Sequence, residues 1–241
     1  MRKAWLGLAI LGAAMAADAP PPGGISGKVV WEGEVPEPRK TEVEPDAGKG
    51  CACPKEGKLV KVDESLVVDA ATRGVAHCVV WLKGVKGGPV LGPAEIDQKG
   101  CVFSPHVALI TPGQKVKLLN PEKIEHNFHW AEGRNPGGNL PPNRFRPFIE
   151  TAVFEKPEFI KVACDIHSWM GGWIAVMENG YAARTDGKGA FKIEGIPPGK
   201  YVLALWHEPV PPEGKPFLLQ KEVVVEAGKT GEAGFTMGAK P

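Results

Sequence analysis

The 241-residue chain balances 29 Lys and Arg against 28 Asp and Glu, a formal charge of +1, which gives no support to nucleic-acid binding. Hydrophobic residues make up 43%, enough for a packed core, and the length suits one large domain or two small ones. Its 31 Gly and 24 Pro interrupt short apolar runs, a texture of many short strands rather than helices.

The first residues read as an export signal. Arg2 and Lys3 precede an apolar stretch from Trp5 to Met15, and Ala14-Met15-Ala16 supplies the small-residue cleavage pattern. The stretch is short for a membrane span, and no cysteine follows it to take a lipid. Residues 1–16 are therefore expected to be removed, which turns the charge balance slightly acidic and delivers the protein to a periplasm or the exterior.

Residues 25–33 alternate apolar and polar side chains up to Gly33, the pattern of a strand. Residues 34–57, rich in Pro, Glu and Gly, read as an exposed irregular loop. Two strand regions follow, Leu59 to Ala70 and Val75 to Gly84, before a Gly/Pro connection over 84–95. Residues 101–130 form a dense run of strands, with Pro112-Gly113 as a turn. Residues 131–148 are Gly, Pro, Asn and Arg in quantity, long for a loop within a compact domain. Strands resume at Thr151–Cys164 and Trp173–Glu178. Beyond Tyr181, Asp186-Gly187 and Pro198-Gly199 read as turns between alternating strands, and a last hairpin is expected around Ala227-Gly228. No segment after the leader reads as a helix of ten residues, so the expected class is all-β.

Chemistry concentrates at residues 163–173, ACDIHSWMGGW. Cys164, His167 and Met170 stand three apart, so one tight loop between strands can present all three. A thiolate, two imidazoles and a weak axial thioether form the ligand set of a blue-copper electron-transfer site. The second imidazole must come from elsewhere, and His126 is the best candidate. Asn127 beside it is placed to tie the two ligand segments together by a hydrogen bond behind the metal. His129, three residues on along an extended strand, is expected to face away from the same ion.

These stretches resemble a known family. The segment CVFSPHVALITPGQKVKLLNPEKIEHN is similar to the first half of a cupredoxin, with its Phe-x-Pro start, Pro-Gly turn and His-Asn pair. FEKPEFIKVACDIHSWMGGWIAV resembles the second half. The two-residue gap from His167 to Met170 resembles the short ligand loop of the amicyanin and pseudoazurin branches. The resemblance covers about residues 97–178 and implies that His126, Cys164, His167 and Met170 bind one copper ion that cycles between Cu(II) and Cu(I). His106 then falls outside the usual ligand positions, as a packed residue behind the ligands or as a fifth ligand. The Pro/Arg-rich 131–148 loop departs from the family pattern.

The flanking segments, including ISGKVVWEGEVP and TDGKGAFKIEGIPPGKYVLALWHE, separately resemble a carboxypeptidase regulatory-like, or transthyretin-like, β-sandwich. The implied organisation is a Greek-key cupredoxin sandwich over 93–179 inserted into a second, discontinuous β-sandwich of 24–92 and 180–238. His77 and His207 fall in that second unit and read as structural.

Five cysteines leave at least one thiol outside a disulfide. Cys164 is that thiol on the metal reading, and Cys78 in an apolar strand reads as a second, buried one. Cys51 or Cys53 is available to Cys101, and a Cys51–Cys101 disulfide would staple the N-terminal loop to the copper unit; the alternative is a soft-metal site at Cys51-Ala52-Cys53. Around the ligands, Trp169 would form an apolar docking rim for a redox protein partner, with Trp173 either beside it or in the core. Arg134, Arg144 and Arg146 either steer an acidic partner or lie on a solvated loop. An electron carrier is the leading function; a copper enzyme with extra His ligands and a copper-buffering module are the alternatives.

Overall fold

The computed structural model describes residues 19–43, 59–122, 124–142, 148–210 and 214–238. They form an all-β molecule whose only helical element is a 3-10 turn at Lys99–Cys101. The expected leader, Cys51, Cys53, Arg144 and Arg146 lie outside the described residues. Among the described residues no helix is long and apolar enough to cross a membrane.

Two hydrophobic cores organise the strands. In the first, β1 (Gly23–Glu32) pairs antiparallel with β14 (Ala190–Ile196) on one edge. On its other edge it pairs in parallel with β17 (Thr230–Glu232) and then β18 (Phe235–Gly238). A second sheet runs in the order β13 (Ala182–Arg184), β4 (Val79–Lys83), β15 (Gly199–His207), β16 (Phe217–Val225), all antiparallel. The two sheets close on Ile25, Val29, Val80, Leu82, Leu203 and Leu205. Alternation explains the pattern: Val80 and Leu82 face this core while Val79 and Trp81 face the other way.

The last hairpin does not form as expected. Gly228 does make the turn, with φ of 67°. The chain beyond it does not fold back on β16 but crosses to the opposite sheet and lines β1. A ten-residue strand with a bare edge offers backbone partners along its whole length, and β17 and β18 take them in succession.

The second core lies between a five-stranded sheet and a three-stranded one. The larger has the order β6 (Val107–Ile110), β12 (Gly171–Val176), β11 (Glu158–Ala163), β8 (Phe128–Trp130), β9 (Gly138–Leu140). The smaller is β10 (Phe148–Glu150), β7 (Lys117–Leu119), β5 (Glu95–Asp97). Phe103, Phe128, Phe154, Leu118 and Ile174 fill the space between them. Gly113, with φ of 89°, makes the turn after Pro112. β2 (Lys40–Val43), inside the region read as irregular loop, pairs antiparallel with β3 (Leu59–Val62), which begins the strand region expected after it.

The 131–148 segment also differs from expectation in its first half. Asn135 is 2% exposed; its amide donates to the Lys156 carbonyl at 2.7 Å and its Oδ1 accepts the N–H of Glu155 and Lys156 at 2.8 and 2.9 Å. One buried Asn thus fastens the loop to the strand leading into β11, and β9 adds to the sheet edge. Arg134 is held there too, its guanidinium donating to the Pro157 carbonyl.

A third cluster joins the cores. Val79 and Trp206 from one meet Val107, Ala175 and Met177 from the other. Trp206 stacks on Phe159 with ring centroids 4.1 Å apart and planes 8° from parallel. Polar ties cross the same boundary, among them the Trp81 indole to Glu178 at 2.9 Å and the Asn179 amide to the Leu82 carbonyl at 2.6 Å.

His77 sits at this boundary with φ of 63°, its ring 5.0 Å from that of His106. Burial, helped by His106, Arg184 and His207, lowers its pKa to about 3. The unfolded chain therefore takes up a proton near pH 6.5 that the folded chain refuses. His77 stabilises the fold above pH 6.5, and this contribution disappears as pH falls toward 3, at up to about 1.4 kcal/mol per pH unit. His77→Asn, which accepts the same backbone conformation, is expected to flatten the fall in melting temperature between pH 6.5 and 4. Melting curves of the two proteins across that range provide the check.

Candidate metal centre

Strand register builds the site. Strands β11 and β12 form an antiparallel pair that ends at Ala163 opposite Gly171, so residues 164–170 are the loop joining them. Two backbone bonds tighten that loop: the Cys164 N–H donates to the Met170 carbonyl at 3.1 Å, and the Met170 N–H to the His167 carbonyl at 2.8 Å. On the other side of β11, Ala163 lies opposite His129 of β8. Antiparallel pairing continued by two residues sets Asn127 across from Asp165, and His126 arrives beside the loop.

The outcome is a buried triad. His126, Cys164 and His167 are 1%, 3% and 2% exposed, and their donor atoms all lie within 4.8 Å of one another. The Nδ1 atoms of His126 and His167 are 3.0 Å apart, and the Cys164 sulfur is 3.7 Å from His167 Nδ1. Met170, also buried, packs in the same core as Cys164. Burial, and secondarily His167, lowers the His126 pKa to about 4, so at neutral pH its imidazole is uncharged with a lone pair free for a metal. Two imidazole nitrogens and a thiol sulfur converging in a buried cluster, with Met170 packed in the same core, fit a soft transition ion such as copper.

Asn127 holds the two ligand segments together. Its Oδ1 accepts the Asp165 N–H at 2.7 Å and the Cys164 thiol at 3.3 Å. Its amide donates to Asp165 Oδ2 at 2.7 Å and to Asn139 Oδ1 at 2.9 Å. Asp165 is further bonded to His129 and Asn139, which together with Asn127 hold its carboxyl below the usual range. Sequence reasoning overlooked Asp165 and Asn139. The register alone could have signalled Asp165, since it falls opposite Asn127.

The remaining expected residues separate from the triad. His129 is half-exposed and pairs with Asp165 rather than facing the cluster. His106, read as a packed residue or a fifth ligand, is buried and turns to the Glu208 carboxylate, 102 residues away. Trp169 is half-buried, its indole donating to the Cys101 carbonyl at 3.1 Å and its ring 5.1 Å from that of His167. His167 itself is buried, with the half-buried Trp169 ring packed against it. Trp173 sits between the cores, 5.2 Å from Trp206. Cys101 is buried, while the Cys51 half of its expected disulfide lies outside the described residues. Cys78 is a buried free thiol as expected, its pKa pushed up to about 12 by burial.

Comparison with known proteins gives partial likenesses. The family model of polysaccharide lyase family 4, domain II matches residues 167–233, under a third of the chain, and thus names the later strands differently from the carboxypeptidase regulatory-like resemblance. No curated protein matches the chain. Among solved structures, a purple cupredoxin from Nitrosopumilus maritimus is 24% identical over 34% of this chain and 97% of its own, with a TM-score of 0.30. A copper-containing nitrite reductase from Thermus scotoductus is 22% identical over 38% of this chain and 28% of its own, at 0.32. A mutant amicyanin is 19% identical over 34% and 79%, at 0.31. Side-chain geometry, rather than these likenesses, carries the functional reading.

Proposed function

We propose that the chain is an exported copper protein that carries single electrons, with His126, Cys164, His167 and Met170 holding one copper ion in a type 1 site. The observation that carries this reading is the convergence of two imidazoles and one thiol, all buried, from two strand ends. When bound, the ion supplies one-electron chemistry between Cu(II) and Cu(I). The chain's own part is to present a mixed nitrogen and sulfur donor set, exclude water and keep both ligand segments still through Asn127. A copper enzyme would need an open coordination position or a second metal, and among the described residues neither His106 nor His129 joins the cluster of donor atoms.

The organisation we propose is a cupredoxin-like unit over 93–179 within a carboxypeptidase regulatory-like sandwich of 24–92 and 180–238. It is supported by the two separate cores and by the return of the chain to the first after the second. Residues 1–16 would direct export to the periplasm or beyond. A redox protein partner would exchange electrons through Trp169, the side chain packed against His167.

The test is to load the purified protein with Cu(II) and record absorption and electron paramagnetic resonance spectra. An intense visible thiolate-to-copper band with the narrow hyperfine pattern of a type 1 site, lost on reduction, is expected. Colourless copper-loaded protein overturns the reading.

A further inference from the structure

A cleft of about 410 Å³ opens where the ligand loop meets the boundary between the two cores. Its floor is a built polar site. The His106 side chain is 6% exposed and bonds through Nε2 to Glu208. The other Glu208 oxygen accepts the Trp173 indole N–H at 2.9 Å. The His106 backbone is fixed as well: its carbonyl accepts the Trp173 N–H at 2.8 Å, and a Cβ on Gly172 would come within 2.7 Å of that oxygen. Held from both sides, the ring keeps Nδ1 buried and without a hydrogen-bond partner. Glu64 is the acidic group facing it, 3.8 Å from Nδ1, beyond hydrogen-bond distance but within reach of an ion pair. Orphaned polar atoms of this kind are rare in interiors and mark a missing partner.

The lining states what that partner must be. Trp169, Trp173, Phe103 and Met170 give aromatic and thioether walls, which suit a flat apolar ring. In the neutral tautomer that donates its Nε2 proton to Glu208, Nδ1 is an acceptor, which a donor partner would satisfy. Three basic and three acidic side chains line the cleft, with Arg39 and Asp63 paired at 2.9 Å. This balance favours neither an anion nor a cation.

We infer that the cleft binds a small neutral phenol-class molecule, its ring between Trp169 and Trp173 and its hydroxyl donating to His106 Nδ1. Such a molecule lies directly against the ligand loop, beside Met170 and the indole packed against His167. The site is complete in the polypeptide and needs no metal.

Titrating the metal-free full-length protein with hydroquinone, followed by indole fluorescence and by the nitrogen NMR signals of its histidines, tests the inference. Saturable quenching with a shift confined to the His106 ring is expected. The dimethyl ether of hydroquinone, which keeps the ring but loses the donor, should bind about tenfold more weakly or worse, the equivalent of one lost hydrogen bond. His106→Phe should weaken hydroquinone to the same degree. Should that variant misfold, Trp169→Ala removes a wall while leaving the bond to Glu208 intact, and it too should weaken binding. Absence of saturable binding, equal affinity for hydroquinone and its ether, or unchanged affinity in both variants overturns the proposal. Since metal-free protein is used, the result is independent of the copper-loading experiment: either can fail while the other stands.

Discussion

Cys164→Ser should abolish the visible thiolate-to-copper band completely and weaken copper binding by more than about 100-fold. The floor for that figure comes from metal sites in general, where loss of a mere outer partner to a ligand costs about 10–100-fold; removing the strongest donor costs more. The fold should survive. Cys164 spends its thiol proton on Asn127 Oδ1 at 3.3 Å, and a serine hydroxyl can make the same bond within a similar volume. Copper titration monitored by absorption, with a melting curve of the metal-free variant, separates the two effects. A variant that keeps the band would remove Cys164 from the ligand set, and with it the electron-transfer reading.

The largest expected effect on stability lies away from the ligands. Trp206→Ala should destabilise the protein by about 3–5 kcal/mol, the usual cost of emptying a large aromatic site. Trp206 is 3% exposed, stacks on Phe159 and meets Trp173 edge-on at 5.2 Å. It therefore belongs to the cluster that joins the two cores. Urea unfolding of the parent, followed by a probe of each core, should give coincident transitions, and both should move together in the variant. If only the transition of the flanking sandwich moves, the third cluster does not couple the two units.

Several features of the fold and the site are legible in the residues themselves. Cys164, His167 and Met170 share one loop, and their spacing alone brings them together. The turns at Gly113 and Gly228 are readable because Pro-Gly and Ala-Gly steps between apolar alternations need a residue that tolerates positive φ. Strand alternation marks the all-β class throughout. The course of the chain after Gly228 is not legible, because a turn signal says that the chain bends but not which open edge it joins. The pinning of residues 131–142 is equally silent, since a single buried asparagine looks like any loop asparagine in a sequence.

Amino-acid order by itself determined the secondary-structure class and the donor types within the 164–170 loop, because both depend on contacts a few residues apart. Tertiary structure brought the expected His126 to Cys164, through the pairing of β8 with β11, and drew His106 off to Glu208. It also decided that Trp169 packs against His167 and that a polar cleft forms alongside. These are meetings between strands remote in the chain, set by register and by packing of one core on another, and no local pattern encodes them.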